Sequence, residues 1–233
     1  LAIDPSPLVV ALVLGPIMEK TLRQTLFMSR GSWGEILARP LTLAFLLVAV
    51  TAAALDLAFA QVELLRWLGY ETTVNIMGIS LIDVEMIAKL GERAAASGTD
   101  ILYMADSYGG LTPQQVGRIV TELRRGFGGP VGVHTHDNLG LALTNTLAAE
   151  AAGAEIIDFT VGGMGRGSGN LRAEQYLLYK QREGDIDRDL APLLDLASSD
   201  VERLRAKHGW GTNVAYMLAG LHNVHPTYVQ RLF

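Results

Sequence analysis

Val131-Gly132-Val133-His134-Thr135-His136-Asp137-Asn138-Leu139-Gly140 decides how this chain folds. A short apolar run ends here on a polar cluster, and a helical pattern follows from about residue 139 to Gly153. Such a run, bounded by turn residues and followed by a helix, reads as a buried strand opening a βα unit. The same unit recurs on both sides. Residues 72–77 precede a helix over 83–96, stopped near Gly98. Residues 101–105 precede a helix opened by Thr112-Pro113-Gln114-Gln115, with Thr as N-cap, Pro at N1 and Gln at N3, and ending around Gly126. Residues 156–161 precede a helix over 171–182. Strand starts at 73, 101, 131 and 156 lie 28, 30 and 25 residues apart. This period predicts a parallel α/β sheet whose strands are covered on both faces. A helix over 58–68, ended by Gly69, precedes the first unit.

In βα units the functional groups gather on the loops after the strands. Every polar cluster falls there: Asn75, Asp106-Ser107-Tyr108, His134 to Asn138, and Gly162 to Asn170. His134 and His136 stand at i, i+2 and therefore on one face of a strand. Two imidazoles so placed can share a metal ion. The alternative is a pair that bonds to each other or to the main chain. Asp106 suits a substrate hydroxyl or an outer contact to a histidine. It suits equally an N-cap or Asx turn. Gly162-Gly163-Met164-Gly165-Arg166-Gly167-Ser168-Gly169-Asn170 opens a helix and either cradles an anion or forms a flexible loop with Asn170 as N-cap. It is not a dinucleotide fingerprint, because no βαβ unit with a downstream acid follows it. Residues 185–207 read as a charged, amphipathic outer helix, and His222 and His225 as surface or packing residues.

The chain has 233 residues, 49% hydrophobic and 18% charged, with a net charge of −5 and no cysteine. Disorder is excluded by that hydrophobicity. The acidic balance argues against a nucleic-acid partner. The missing thiols exclude disulfides, zinc–thiolate sites and a cysteine nucleophile. The apolar excess is local. Residues 1–57 hold four cations and four anions, which flank or separate two apolar runs over 7–18 and 41–55. A membrane span needs about 20 apolar residues, a length the second run reaches only by absorbing Asp56 and residues 57–60. No basic region precedes the first run, so it is not a signal peptide. A membrane reading puts the cationic stretch between the runs in the cytoplasm.

Two resemblances follow. Pro7 to Pro16, Met18-Glu19-Lys20, Leu22-Arg23, Ser29-Arg30-Gly31 and Arg39-Pro40 resemble the C-terminal end of the large permease subunit of tripartite tricarboxylate transporters, over residues 1–54. No transport activity is implied, since that subunit's other membrane helices are absent. Met104-Ala105-Asp106-Ser107-Tyr108-Gly109-Gly110, the His-x-His stretch, and Val161 to Asn170 together resemble the HMG-CoA lyase-like, pyruvate-carboxyltransferase-like metal-dependent aldolases. The nearest branch is 4-hydroxy-2-oxovalerate aldolase, which the tail Trp210 to Val229 also resembles. The match covers residues 58–233.

The second resemblance implies a partial (β/α) TIM barrel, strands five to eight of eight. Three segments are expected: an apolar helical one over 1–57, the half barrel over 58–184, and a helical tail over 185–233. It implies a divalent cation, Mn or Mg, held by His134 and His136, with Asn170 added in some members. The implied reaction cleaves a 4-hydroxy-2-oxo acid to pyruvate and an aldehyde. Tyr216 and Asp106 are the candidates for proton transfer, and Asn75 and Ser107 for substrate binding. The family also carries an Arg-Asp-Gly triplet, whose aspartate ligates the metal and whose arginine binds the oxyanion. This sequence has none, so impaired activity is expected. An open half barrel calls for a homo-oligomer or a partner chain to cover it. The location expected is cytoplasmic, with membrane contact through residues 1–57. The rival readings are a membrane-associated transporter remnant and a non-functional fusion product.

Overall fold

The computed structural model describes residues 48–50 and 55–230. Five parallel strands lie side by side in chain order: β1 (Val48–Val50), β2 (Thr73–Ile76), β3 (Ile101–Asp106), β4 (Val131–Thr135) and β5 (Ile156–Ile157). Helices α1 (Leu55–Trp67), α2 (Val84–Ala96), α3 (Pro113–Phe127) and α4 (Ala142–Ala151) connect them, and α5 (Ala173–Glu183) follows β5. Consecutive parallel strands with helical crossovers are the pattern of part of a (β/α) barrel.

β1 corrects the reading of the second apolar run. Val48, Ala49 and Val50 pair with Val74, Asn75 and Ile76. A charge-free run carries no period by which to choose helix or strand. Here the free edge of β2 and two β-branched valines select the strand. Among the described residues the sheet therefore has five strands where four were expected, and it begins upstream of residue 58. A continuous membrane helix over 41–60 is incompatible with an extended segment at 48–50. Among the described residues no helix is long and apolar enough to cross a membrane. The first apolar run and the cationic stretch behind it lie outside the described residues.

Side-chain alternation divides the sheet into two faces. Val74, Ile76, Leu102, Met104, Val131 and Val133 are buried in one core with Phe59, Ile87, Val116 and Leu123 from the helices. The opposite face carries Asn75, Tyr103 and Gly132, which lie in one row across β2, β3 and β4. Ala105 and His134 occupy the next row. The site therefore grows from the face that the described helices do not cover.

α3 starts as its sequence predicts. Thr112 Oγ1 accepts from the Gln115 amide, and Gln115 Oε1 accepts from the Thr112 amide at 2.8 Å. The helix runs past Gly126 to a left-handed C-cap at Gly128. Gly126 is needed inside it, because a Cβ there would strike the Ala88 carbonyl of α2. β5 is shorter than residues 156–161. Thr160 leaves the ladder and donates its amide to Leu171 O, and residues 161–163 form a tight 3-10 turn. The tail is helical: α6 (Ala191–Leu196), a π turn at Ala197–Val201, α7 (Glu202–His208), α8 (Val214–Leu221) and α9 (Pro226–Gln230). Trp210 Nε1 donates to Gly162 O at 3.0 Å and ties it to the glycine-rich loop.

Candidate active site at the strand ends

Thr135 turns toward the helices, where its hydroxyl lies 3.1 Å from that of Thr146. Its neighbours His134 and His136 consequently share the opposite face. Their rings stand edge to face with centroids 4.9 Å apart. Nδ1 of His136 lies 2.8 Å from the main-chain oxygen of Asp106. A carbonyl only accepts, so Nδ1 carries the proton and Nε2 keeps its lone pair. Burial, reinforced by His134, lowers the pKa of His136 to about 4. The ring is thus neutral near pH 7. His134 Nδ1 lies 3.3 Å from Asp158 Oδ2, which leaves its Nε2 open as well.

Asp106 takes the turn-closing alternative. Its carboxylate is fully buried and accepts from the Gly110 and Leu111 amides at 3.3 and 3.2 Å. Burial raises its pKa to about 6, against the opposing pull of those amides. Its contact with the histidines runs through its main chain. Ser107 Oγ accepts from the Gly78 amide at 2.8 Å and joins the loops after β2 and β3. Asn75 is buried on the face it shares with Tyr103 and Gly132, with its Oδ1 unpartnered.

Asn170 pairs with His136 in an isolated antiparallel bridge, which sets the two side by side. Its Nδ2 donates to Met164 O at 3.3 Å, while its Oδ1 is buried and unpartnered. It does not cap the following helix: the N-cap of α5 is Arg172, without a side-chain bond. Tyr216 is buried on α8. Its ring borders Gly167 and lines a cleft with Gly165, His208, Trp210 and Asn213. The strand ends therefore bring together His134, His136, Asn170 and the Asp106 main chain, whereas Tyr216 meets the site through the glycine-rich loop.

Five further residues shape the site. Asn138 is fully buried, accepts from Ser168 Oγ at 2.5 Å and donates to Tyr216 O at 3.0 Å. It couples the loop after β4, the glycine-rich loop and α8. Its place in the polar cluster was the only signal. Asp158 and Tyr103 meet at 3.2 Å on the uncovered face. Arg166 Nη2 lies 3.0 Å from His225 Nε2, so His225 is a contact of the glycine-rich loop.

Among the described residues no group of three or more His, Cys, Asp and Glu side chains is disposed to hold a metal. The imidazole pair needs a donor of another kind, and the orphaned amide oxygen of Asn170 beside His136 is one. Two imidazole nitrogens and an amide oxygen are donors that a divalent cation can take.

A parallel (β/α) assembly with a histidine pair and a glycine-rich loop at its strand ends has the layout of (β/α) barrels, whose functional groups sit on that rim. The HMGL-like family model matches residues 42–198, and the chain belongs to that family. The match begins at residue 42 and not at 58, and so takes in β1. The chain is 33% identical to oxaloacetate decarboxylase of Mycobacterium tuberculosis, across 81% of this chain and 56% of that protein. It is 35% identical to 4-hydroxy-2-oxovalerate aldolase of Geobacillus genomosp. 3, across 67% and 47%. The N-terminal domain of a candidate aldolase from Bacteroides vulgatus superposes with a TM-score of 0.72 at 33% identity, covering 79% of this chain and 61% of that one. The chain spans about half the length of the curated relatives it matches.

Proposed function

We propose that this chain is a lyase that cleaves a C–C bond next to a 2-oxo acid and releases pyruvate. The substrate class we favour is a 4-hydroxy-2-oxo acid, which yields pyruvate and an aldehyde. The observation that carries this reading is the pair of imidazoles with both Nδ1 atoms engaged and both Nε2 atoms open. His134, His136 and Asn170 would hold a divalent cation, Mn or Mg. When bound, such a cation supplies Lewis-acid stabilisation of the negative charge that develops on the 2-oxo group.

The chain's own residues supply position and proton transfer. The Asp106 carbonyl holds His136 in one tautomer. Asn75 offers an unpartnered acceptor to a substrate hydroxyl, and Ser107 keeps its proton to donate while its oxygen anchors the loop. Tyr216 is the candidate for taking part in proton transfer, whereas the Asp106 carboxylate closes its turn and acts by placing its carbonyl on His136. A second reading, decarboxylation of oxaloacetate, is favoured by the mycobacterial relative. It shares the same half-reaction, because loss of carbon dioxide also leaves the enolate of pyruvate.

Because the sequence holds no Arg-Asp-Gly triplet, we expect slow turnover unless a second copy or partner chain covers the open face. A cytoplasmic location and membrane contact through the part of residues 1–57 that precedes β1 stay part of the proposal. The test is release of pyruvate from 4-hydroxy-2-oxovalerate and from oxaloacetate with Mn²⁺, followed by lactate dehydrogenase coupling. Release that depends on His136 supports the reading, and the faster substrate selects between the two reactions. Release unaffected by His136→Ala contradicts it.

A further inference from the structure

On the uncovered face of the sheet, Asp158 stands between two partners on different strands. The amide of Asp158 donates to Val133 O at 3.1 Å, which carries the β4–β5 register one residue past β5 and sets Asp158 beside His134. Asp158 Oδ2 lies 3.3 Å from His134 Nδ1. Its other oxygen accepts from the Tyr103 hydroxyl at 3.2 Å. Tyr103 belongs to β3, two strands away, and reaches Asp158 by laying its ring across β4. Gly132 makes that crossing feasible: a Cβ there would come within 2.5 Å of the Tyr103 ring. The aromatic ring and the glycine occupy the same row of the sheet.

A carboxylate that faces solvent holds an imidazole weakly, since both side chains lose freedom for a screened attraction. Asp158 is 46% exposed and His134 25%. The tyrosine changes this balance. A phenol fixed by its own strand holds one carboxylate oxygen and leaves the other 3.3 Å from Nδ1. A carboxylate on Nδ1 sets the ring's tautomer, strengthens Nε2 as a donor and is a recurrent partner of metal-bound histidine. His136 has its counterpart in the Asp106 carbonyl. The two rings thus present the same nitrogen, one through a main-chain acceptor and the other through a braced carboxylate.

We infer that Asp158, braced by Tyr103 across Gly132, is a positioning residue that fixes the Nδ1–H tautomer of His134 and so tunes its Nε2 for a divalent cation. The inference rests on the reading of His134 as a ligand. Two measurements on the full chain separate them. The first is ¹⁵N NMR of the imidazoles in metal-free protein near pH 8, comparing wild type with Asp158→Ala, Asp158→Asn and Tyr103→Phe. His134 should be protonated on Nδ1 in the wild type and mixed in Asp158→Ala. Asp158→Asn should restore the tautomer, because an amide oxygen still accepts from Nδ1, and Tyr103→Phe should fall between. The second is Mn²⁺ titration by electron paramagnetic resonance, where Asp158→Ala should weaken binding roughly 10- to 100-fold and Tyr103→Phe less. An unchanged His134 tautomer in Asp158→Ala overturns the inference, and so does unchanged Mn²⁺ affinity in a chain whose affinity drops with His134→Ala. If His134→Ala binds Mn²⁺ as the wild type does, the ligand reading fails and with it the tuning role, while the NMR still reports whether Asp158 fixes the ring.

Discussion

The main-chain oxygen of Asp106, the last residue of β3, lies 2.8 Å from Nδ1 of His136, the first residue beyond β4. One residue thereby does two things: its carbonyl orients an imidazole, and its carboxylate closes the turn that presents that carbonyl. Removing the carboxylate leaves the Gly110 and Leu111 amides without their acceptor. Unpaired buried donors cost about 1–3 kcal/mol each. Asp106→Ala should therefore lower the unfolding free energy by roughly 2–4 kcal/mol in urea at about pH 5, below the raised pKa of the carboxyl, and Asp106→Asn by about half of that. Mn²⁺ affinity should fall in the order of the stability losses. Equal stability of the wild type and Asp106→Ala would show that the turn does not depend on this carboxylate.

The two groups also oppose each other in pH. Burial raises Asp106 from 3.8 to about 6, so its contribution is fully present below pH 3.8 and is lost as pH rises through about 6. Burial lowers His136 from 6.5 to about 4, so its contribution is present above pH 6.5 and is lost as pH falls through about 4. At 1.36 kcal/mol per unit each amounts to roughly 3 kcal/mol, and the signs are opposite between pH 4 and 6. Metal-free wild type should show little pH dependence from this pair in that window. His136→Ala should become less stable as pH rises from 4 to 6, and Asp106→Asn more stable. Urea midpoints at half-unit intervals decide this, and parallel profiles for all three would contradict the assignment.

Close contact of α2 and α3 rests on glycine. A Cβ at Gly126 would strike the Ala88 carbonyl, and one at Gly91 would come within 2.8 Å of Leu123 O. Gly126→Ala should cost about 1–3 kcal/mol through displacement of the helices. Gly128 faces open space at φ +71°, so Gly128→Ala should cost only about 1 kcal/mol through its backbone. Chemical denaturation of the two variants checks the difference.

Asn138 is the joint between the rim and the tail. Asn138→Ala strands Ser168 Oγ and the Tyr216 carbonyl, at roughly 2–3 kcal/mol. The expected signature is local: faster amide exchange in α8 and in the glycine-rich loop, with β2 to β4 unchanged. Uniform acceleration throughout the chain would place Asn138 in the global core.

What the sequence made legible was local. Thr112, Pro113 and Gln115 lie within one turn, so the capping box could be read directly, and the strand at 131–135 follows from its run and its flanks. His134 and His136 share a face because strands alternate, whatever surrounds them. Four features needed partners distant in sequence. Residues 48–50 become a strand only because β2 offers an edge, and an apolar run without period does not announce this. β5 ends at Ile157 because Thr160 bonds to Leu171, a pairing that no local pattern encodes. Asp158 acquires its neighbours from the β4–β5 register and from a ring two strands away. Asn170 reads as a cap by its position before a helix, yet the bridge to His136 claims it.

The central claim is that these strand ends stabilise the enolate of pyruvate, and proton exchange tests it without any assumption about the aldehyde. Pyruvate in D₂O with Mn²⁺ and the full chain should lose its methyl proton signal faster than in buffer with Mn²⁺ alone, and covering the open face with a second copy or partner should raise the rate. His134→Ala and His136→Ala should return the rate to that of the buffer. Methyl exchange no faster than in buffer, from wild-type chain shown to bind Mn²⁺, would contradict the account.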